Sequence, residues 1–448
     1  MDKNILSIIN DNQHDDLSVL FAHMNAVDIA DALEHSEAPA AVAAFRLLDE
    51  GLAADVFSYI SPERQEHIVG ELTDTEVEEI MEDLPVDDIV DFIEDVPDDV
   101  GKRVLDSVSA EKSELVDRIL DYPEDSAGSI MTTEIVELTA ETMVKDALNI
   151  IRTSGVDKET IYTCYVVDDE RKLIGVVTAD TLLYSRLTEK VGKLMDTTVI
   201  YAEAGDDQEE LADKFSKYDL LAMPVVNRAG QLVGIVTIDD ILDVITEEDT
   251  EDFAKMVGVN PTDEPYMKSG VIVHTKNRII WLLVLMLAAT IAGAIIDSFE
   301  GAFEALPISF AKLGAFIPML MGAGGNAGAQ SSTIIIRGMA LGEIVKTDIL
   351  KIIWRETRIA IVCSLILGAA NFIRIFFMYD QDYTLAWVVT ISLCVTLIVA
   401  KTIGCILPVA AKTFNRDPAV MAAPLITTIV DCTALIVFFA IASMAFGS

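Results

Sequence analysis

From Ile279 to Ile296 the chain reads IIWLLVLMLAATIAGAII, a bilayer-length run without a single charge. A helix rises about 1.5 Å per residue, and the hydrocarbon core of a membrane is about 30 Å thick. Such a run is a membrane span. Less pure apolar stretches follow near residues 313–336, 357–378, 385–410 and 419–446, so five spans are expected within a membrane domain at 276–448. This constraint divides the whole chain. From Val271 onward lie 12 of the 32 Lys and Arg residues and 10 of the 73 Asp and Glu residues, which leaves 20 bases against 63 acids in the first 270 residues. A polyanion is joined to a membrane domain. A net charge of −41 excludes a nucleic-acid partner. The opening MDKNILSIIN is polar, so no secretory leader is expected. Cys164, Cys363, Cys394, Cys405 and Cys432 stand singly, which suggests neither a zinc site nor a disulfide framework.

Loop charges orient the spans. Lys276 and Arg278 precede the first span, Arg337, Lys346, Lys351, Arg355 and Arg358 follow the second, and Lys412 and Arg416 precede the last. The opposite loops carry Glu300, Glu304, Asp380 and Asp382 against Lys312. By the positive-inside rule the acidic front part is cytosolic and the C-terminus lies outside, in a multi-pass protein of the inner (plasma) membrane. Arg374 and Lys401 lie within spans, each close enough to an end to snorkel.

Two membrane segments break the apolar rule. PMLMGAGGNAGAQSS, in the second span, carries Gly325, Asn326 and Gln330. Its glycines fit close helix packing, whereas its amides need partners away from lipid and fit a pore lining. The last span, APLITTIVDCTALIVFFAIASMAF, holds Asp431. A carboxylate there costs about 2.5–3.5 kcal/mol on insertion scales. Either it marks an ion pathway or it is a structural acid, protonated or paired with Arg374 or Lys401. Thr427, Thr428 and Thr433 surround it with hydroxyl oxygens, which suit a hard cation. No histidine lies in any span, which disfavours a softer metal.

The soluble part contains a duplication. CYVVDDERKLIGVVTADTLL (Cys164–Leu183) aligns with MPVVNRAGQLVGIVTIDDIL (Met223–Leu242), each reading strand, turn, strand and helix start. The two units resemble cystathionine-β-synthase (CBS) repeats, which implies an α/β pair over residues 123–246. The resemblance implies an adenine nucleotide such as ATP near Thr237 and Asp240. The first copy has Thr178 with Thr181, and its Asp180 falls one residue early. A purely structural, dimerising pair is the other reading. Before it, residues 1–122 read as an α-solenoid of short amphipathic helices with acidic loops. After it, residues 247–275 read as an acidic connecting helix. Like charges this dense repel. Bound cations relieve them, though a solvated face is equally open.

The whole arrangement is similar to the MgtE family of magnesium transporters, through YPEDSAGSIMT, PMLMGAGGNAGAQSS and DPAVMAAPLITTIVD. The resemblance implies a homodimer with its pore between the second and fifth spans. It implies hydrated Mg²⁺ at Asp431, with Thr427 and Ala434 about one turn away and Asp417 at the cytosolic mouth. It implies closure by cytosolic Mg²⁺ among Asp87 or Asp88, Asp219, Asp240, Asp243, Glu248, Glu251 and Asp252. The chain departs from some members in having Ala422 and Ala423 before Pro424. No ATP-hydrolysing motif and no catalytic set appear, so transport is driven by the electrochemical gradient and no enzyme is expected. A carrier of another divalent ion such as Co²⁺, and a membrane-anchored nucleotide or metal sensor, remain alternatives.

Overall fold

The computed structural model describes residues 9, 14–154, 158–262, 266, 269–303, 310–379, 382–414, 416–421 and 423–446. Glu304, Asp380 and Ala422 lie outside them. The chain divides between Thr246 and Glu247 into two compact units.

The first unit opens with helices of 8–11 residues, from His14–Phe21 to Ala110–Leu120. Their starts keep a strict beat. Asn25, Glu37, Asp49, Ser61, Thr73, Pro85, Pro97 and Ser109 each precede a helix, twelve residues apart. Seven residues into each repeat stand Ala32, Ala44, Val56, Ile68, Ile80, Phe92, Val104 and Val116, all buried. One apolar stripe per short helix is too little to fold alone, so each helix packs against the one two places along. The few bases cap helix ends. Arg64 donates to the carbonyls of Glu34 and Ser36, Arg103 to Val69 and Leu72, and Lys112 to Glu82 and Leu84. The amphipathic stretches were legible in sequence, but the twelve-residue period was missed because only its spacing repeats.

Two three-stranded sheets follow. β1 (Glu137–Thr139) runs parallel to β2 (Thr163–Val167), which pairs antiparallel with β3 (Leu173–Thr178). β4 (Ala202–Glu203), β5 (Ala222–Val226) and β6 (Leu232–Thr237) repeat the order. The register repeats too: Val166 faces Gly175 as Val225 faces Gly234, and each sheet slips at the next residue. The copies exchange their leading segments, since Thr132 bridges to Ile235 and Asp196 to Val176. This exchange explains the paired glycines. A Cβ on Gly175 would lie 2.8 Å from Met195 Sδ, and one on Gly234 2.8 Å from Met131 Sδ. The helix after β6 runs unbroken from Ile238 to Val257. The acidic connecting segment is thus the continuation of a CBS helix and not a separate helix over 247–275.

The second unit holds long helices at Val271–Phe303, Ile317–Ala340, Ile349–Met378, Tyr383–Thr413 and Ala423–Phe446. The first starts earlier than the expected residue 276. Among the described residues, four segments are long and apolar enough to span a bilayer: Val271–Gly301, Ile349–Met378, Tyr383–Thr413 and Ala419–Phe446. Ile317–Ala340 has the length, with 24 residues, but its glycines, amides and serines lower its hydropathy. Its core faces are buried against Tyr383–Thr413 and the last helix, around Leu320, Ala327, Leu397, Ile426 and Val430.

Candidate ion site

The polar helix Ile317–Ala340 carries Pro318 in its first turn, where no intrahelical N–H is lost. Gly324, Gly325 and Gly328 face inward. A Cβ on Gly325 would stand 3.1 Å from Thr427 Cγ2, and one on Gly328 2.7 Å from Ile426 Cγ2. The absent side chains let the last helix approach at Ile426 and Thr427, one turn before Asp431. Asp431 is half-buried, and among the described residues no side chain hydrogen-bonds or ion-pairs with it. Thr427 and Thr428 donate their hydroxyls to the Pro424 carbonyl, each at 3.0 Å, and Thr433 donates to Ile429. Their oxygen lone pairs remain free to accept. Asn326 and Gln330 are exposed on the polar helix, in line with exposed Gly322, whereas Gly325 is buried. Ala434 is fully packed and does not share the surface of Asp431.

The two membrane bases are occupied elsewhere. Arg374 donates to Asn371 Oδ1 at 2.9 Å. Lys401 does not snorkel. It is 7% exposed, donates to Ser331 Oγ at 3.2 Å, and lies 3.8 Å from Glu356 Oε2. Ser331 in turn donates to Glu356 at 2.7 Å. The expectation fails because Glu356, one residue before the apolar stretch 357–378, sits inside helix Ile349–Met378 and offers Lys401 a partner within the bundle. An acid and a base in neighbouring spans were the available signal.

At the start of the last helix, Asp417 Oδ1 accepts from the Ala419 N–H at 2.7 Å, while its Oδ2 forms an ion pair with Lys255 at 2.9 Å. Lys255 also pairs with Glu251 at 2.7 Å. Burial, and then the charge of Asp417, pushes Asp252 up to about 6, and Glu248 and Glu251 add to this. A Cβ on Gly258 would lie 3.0 Å from Pro424 Cγ. The end of the acidic helix therefore touches the beginning of the Asp431 helix.

A second acidic group forms within the first unit. Asp87 and Asp88 begin helix Val86–Asp95 and face Asp240, at the start of Ile238–Val257. Burial raises Asp88 to about 7, with the charges of Asp240 and Glu134 behind it. Burial raises Asp87 well above the carboxylate range, and its Oδ1 has no hydrogen-bond partner. Glu159 is raised to about 7 and Asp240 to about 6, again chiefly by burial. Glu134, Glu159 and Asp239 were missed in sequence because they lie far from Asp87 along the chain. Asp243 is exposed but adds to the field at Asp240. Asp219 is exposed and caps helix Gln208–Tyr218 in left-handed backbone, with φ 52°. Among the described residues, no three His, Cys, Asp or Glu side chains converge as a metal-ligand set.

The expected nucleotide residues are closed on each other. Thr237 is 5% exposed and donates to Asp240 Oδ2 at 2.6 Å. A cavity of about 360 Å³ lies elsewhere in the CBS pair, lined by Ile174, Thr197, Val199, Tyr201, Asn227 and Arg228, among others.

Fold and site together define a multi-pass membrane protein with an acidic helical domain and a CBS pair. The divalent cation transporter profile MgtE matches residues 317–441, the MgtE intracellular N domain matches 24–125, and CBS domains match 127–187 and 191–247. The magnesium transporter MgtE of Thermus thermophilus is 33% identical over 89% of this chain and 88% of its own length. That of Bacillus subtilis is 36% identical over 76% and 74% respectively. A crystal structure of the soluble part of a magnesium transporter superposes with a TM-score of 0.52 at 28% identity, covering 55% of this chain and 96% of the other. The chain belongs to the MgtE family of magnesium transporters, and hence to transporters rather than enzymes.

Proposed function

We propose that this protein conducts Mg²⁺ into the cell past Asp431, and that cytosolic Mg²⁺ closes the path by bridging its acidic surfaces. The observation that carries this is the isolation of Asp431. Both membrane bases within reach of a pairing argument have other partners, so no base of the protein neutralises the carboxylate and a passing cation can. Mg²⁺ holds its waters tightly, and the threonine oxygens around Asp431 accept from such a shell.

A lone chain leaves Gly322, Asn326 and Gln330 uncovered on the polar helix. Amides facing lipid are costly, which favours a second copy and a water-filled path between two polar helices. On this reading Ile317–Ala340 is the second of five spans, and two Asp431 carboxylates face one hydrated ion. The short helices of twelve-residue period stack as a small solenoid on the cytosolic side, and the C-terminus lies outside the plasma membrane. An inward potential then contributes about 4.6 kcal/mol per 100 mV for a divalent ion.

Closure follows from mass action. Asp87, Asp88, Asp240 and Glu159 resist ionising beside one another, as does Asp252 beside Asp417. A divalent cation removes that repulsion and favours the packed state. An adenine nucleotide fits the cavity beside Tyr201 and Arg228 better than the closed Thr237–Asp240 pair, since the cavity has the size of a small-molecule site. The test is flux into liposomes with Mg²⁺ or Co²⁺ outside and internal Mg²⁺ varied. Influx of Mg²⁺ that falls as internal Mg²⁺ rises supports the reading; no flux under any condition favours a sensor.

A further inference from the structure

We propose that Lys401 is a positioning residue for the ion path, pinning the polar helix in register through Ser331 and Glu356. The three side chains come from three helices: Ser331 from Ile317–Ala340, Glu356 from Ile349–Met378 and Lys401 from Tyr383–Thr413. They are 0%, 8% and 7% exposed. Ser331 Oγ donates to Glu356 Oε2 at 2.7 Å and accepts from Lys401 Nζ at 3.2 Å, with the two charges 3.8 Å apart. In this region of low dielectric, directional partners are hard to replace, and a slipped register strands a charge.

The pin sits beside a close helix crossing. A Cβ on Gly404 would collide with the carbonyl oxygen of Gly328. Gly324 meets Thr396 as Gly328 meets Ala400, so the two helices run parallel, and Ser331 and Lys401 each lie within one turn of the crossing. Glycine contact alone permits sliding; the Lys401–Ser331–Glu356 bonds do not. The same Gly328 also meets Ile426 of the last helix, and Gly325 meets Thr427. The position of Asp431 relative to Asn326 and Gln330 is therefore set by a helix whose register the pin fixes.

This rests on the path running past Asp431, so the experiment carries Asp431→Asn alongside. Purified full-length variants are reconstituted in liposomes, and Mg²⁺ influx and melting temperature are both measured. The apolar pair Lys401→Met with Glu356→Leu fills the site without charge. It is expected to melt like the native protein or above it, while its half-saturating Mg²⁺ concentration rises about tenfold. Lys401→Arg keeps a donor and a charge, and its half-saturation stays within about threefold of native. A stable apolar pair with native half-saturation and flux, beside an inactive Asp431→Asn, overturns the pin alone. A fully active Asp431→Asn overturns the path itself and the pin with it.

Discussion

Two acids inside the membrane unit, one buried and one half-buried, have opposite fates. Glu356 is bonded to a hydroxyl and paired with a base, whereas among the described residues no side chain bonds Asp431. Pairing makes the first an element of structure, and isolation makes the second available to an ion. The soluble unit repeats the lesson. Arg103 and Lys112 satisfy carbonyls and hold helices together, while Asp87, Asp88 and Asp240 face one another, and Lys112, which feels the charge of Asp87, gives its hydrogen bonds to carbonyls instead. In a chain with so few bases, where each one is spent decides which acids remain reactive.

The sharpest break in that comparison is at the unpaired acid. Asp431→Asn keeps the shape and removes the charge. Mg²⁺ flux is expected to fall by about 100-fold, or about 2.7 kcal/mol in the barrier, with melting unchanged. Flux into liposomes checks it, and native flux would remove Asp431 from the path. At the paired acid the dominant effect moves to stability. Lys401→Met alone leaves Glu356 without its base, and a loss of about 3–5 kcal/mol is expected in thermal or denaturant unfolding.

The soluble acids predict a pH effect of definite sign. Asp88 and Glu159 stand at about 7 and Asp240 at about 6, above the unfolded value of about 4. The folded state thus binds more protons than the unfolded chain between those limits. Their contribution to stability is greatest at the acid end, falls as pH rises through their folded values, and is gone by about pH 8. Without divalent ions the protein is expected to be less stable at pH 8 than at pH 5.5 by on the order of 2–4 kcal/mol. Millimolar Mg²⁺ should restore most of it at pH 8, since ligand at about 100 times its Kd adds about 2.7 kcal/mol. Circular-dichroism melting of the detergent-solubilised protein at both pH values, with and without Mg²⁺, is the measurement.

What the sequence made legible follows the same division. The CBS duplication was visible because strand, turn and glycine repeat as residue types, and β2–β3 and β5–β6 keep one register. Asp431 was visible because a charge in an apolar run is conspicuous by itself. Glu356 was not, because a charge near the end of an apolar stretch resembles a loop residue until the helix is seen to extend back to Ile349. The Asp87–Glu159–Asp240 group was only half legible, since long-range packing assembles it. The expected nucleotide residues also have a local role: the Thr237 hydroxyl satisfies Asp240 three residues away, an arrangement a helix start favours without any ligand.

The smallest expected effect tests whether exposure, rather than charge, sets the value of a base. Arg118 and Glu114 form an ion pair at 3.2 Å on one helix face, with side chains 53% and 77% exposed. Water competes for both groups, and ordering two long side chains costs entropy. Arg118→Ala should therefore cost less than about 0.5 kcal/mol. Arg103 carries the same single charge, but it donates to the carbonyls of Val69 and Leu72 as well as to Asp74. Its removal orphans two helix-end carbonyls at once, so Arg103→Ala should cost about 1–3 kcal/mol. Denaturant melts of the two variants side by side measure the difference. Equal losses would mean that bulk neutralisation of the acidic surface, and not the carbonyl contacts, is what these bases supply.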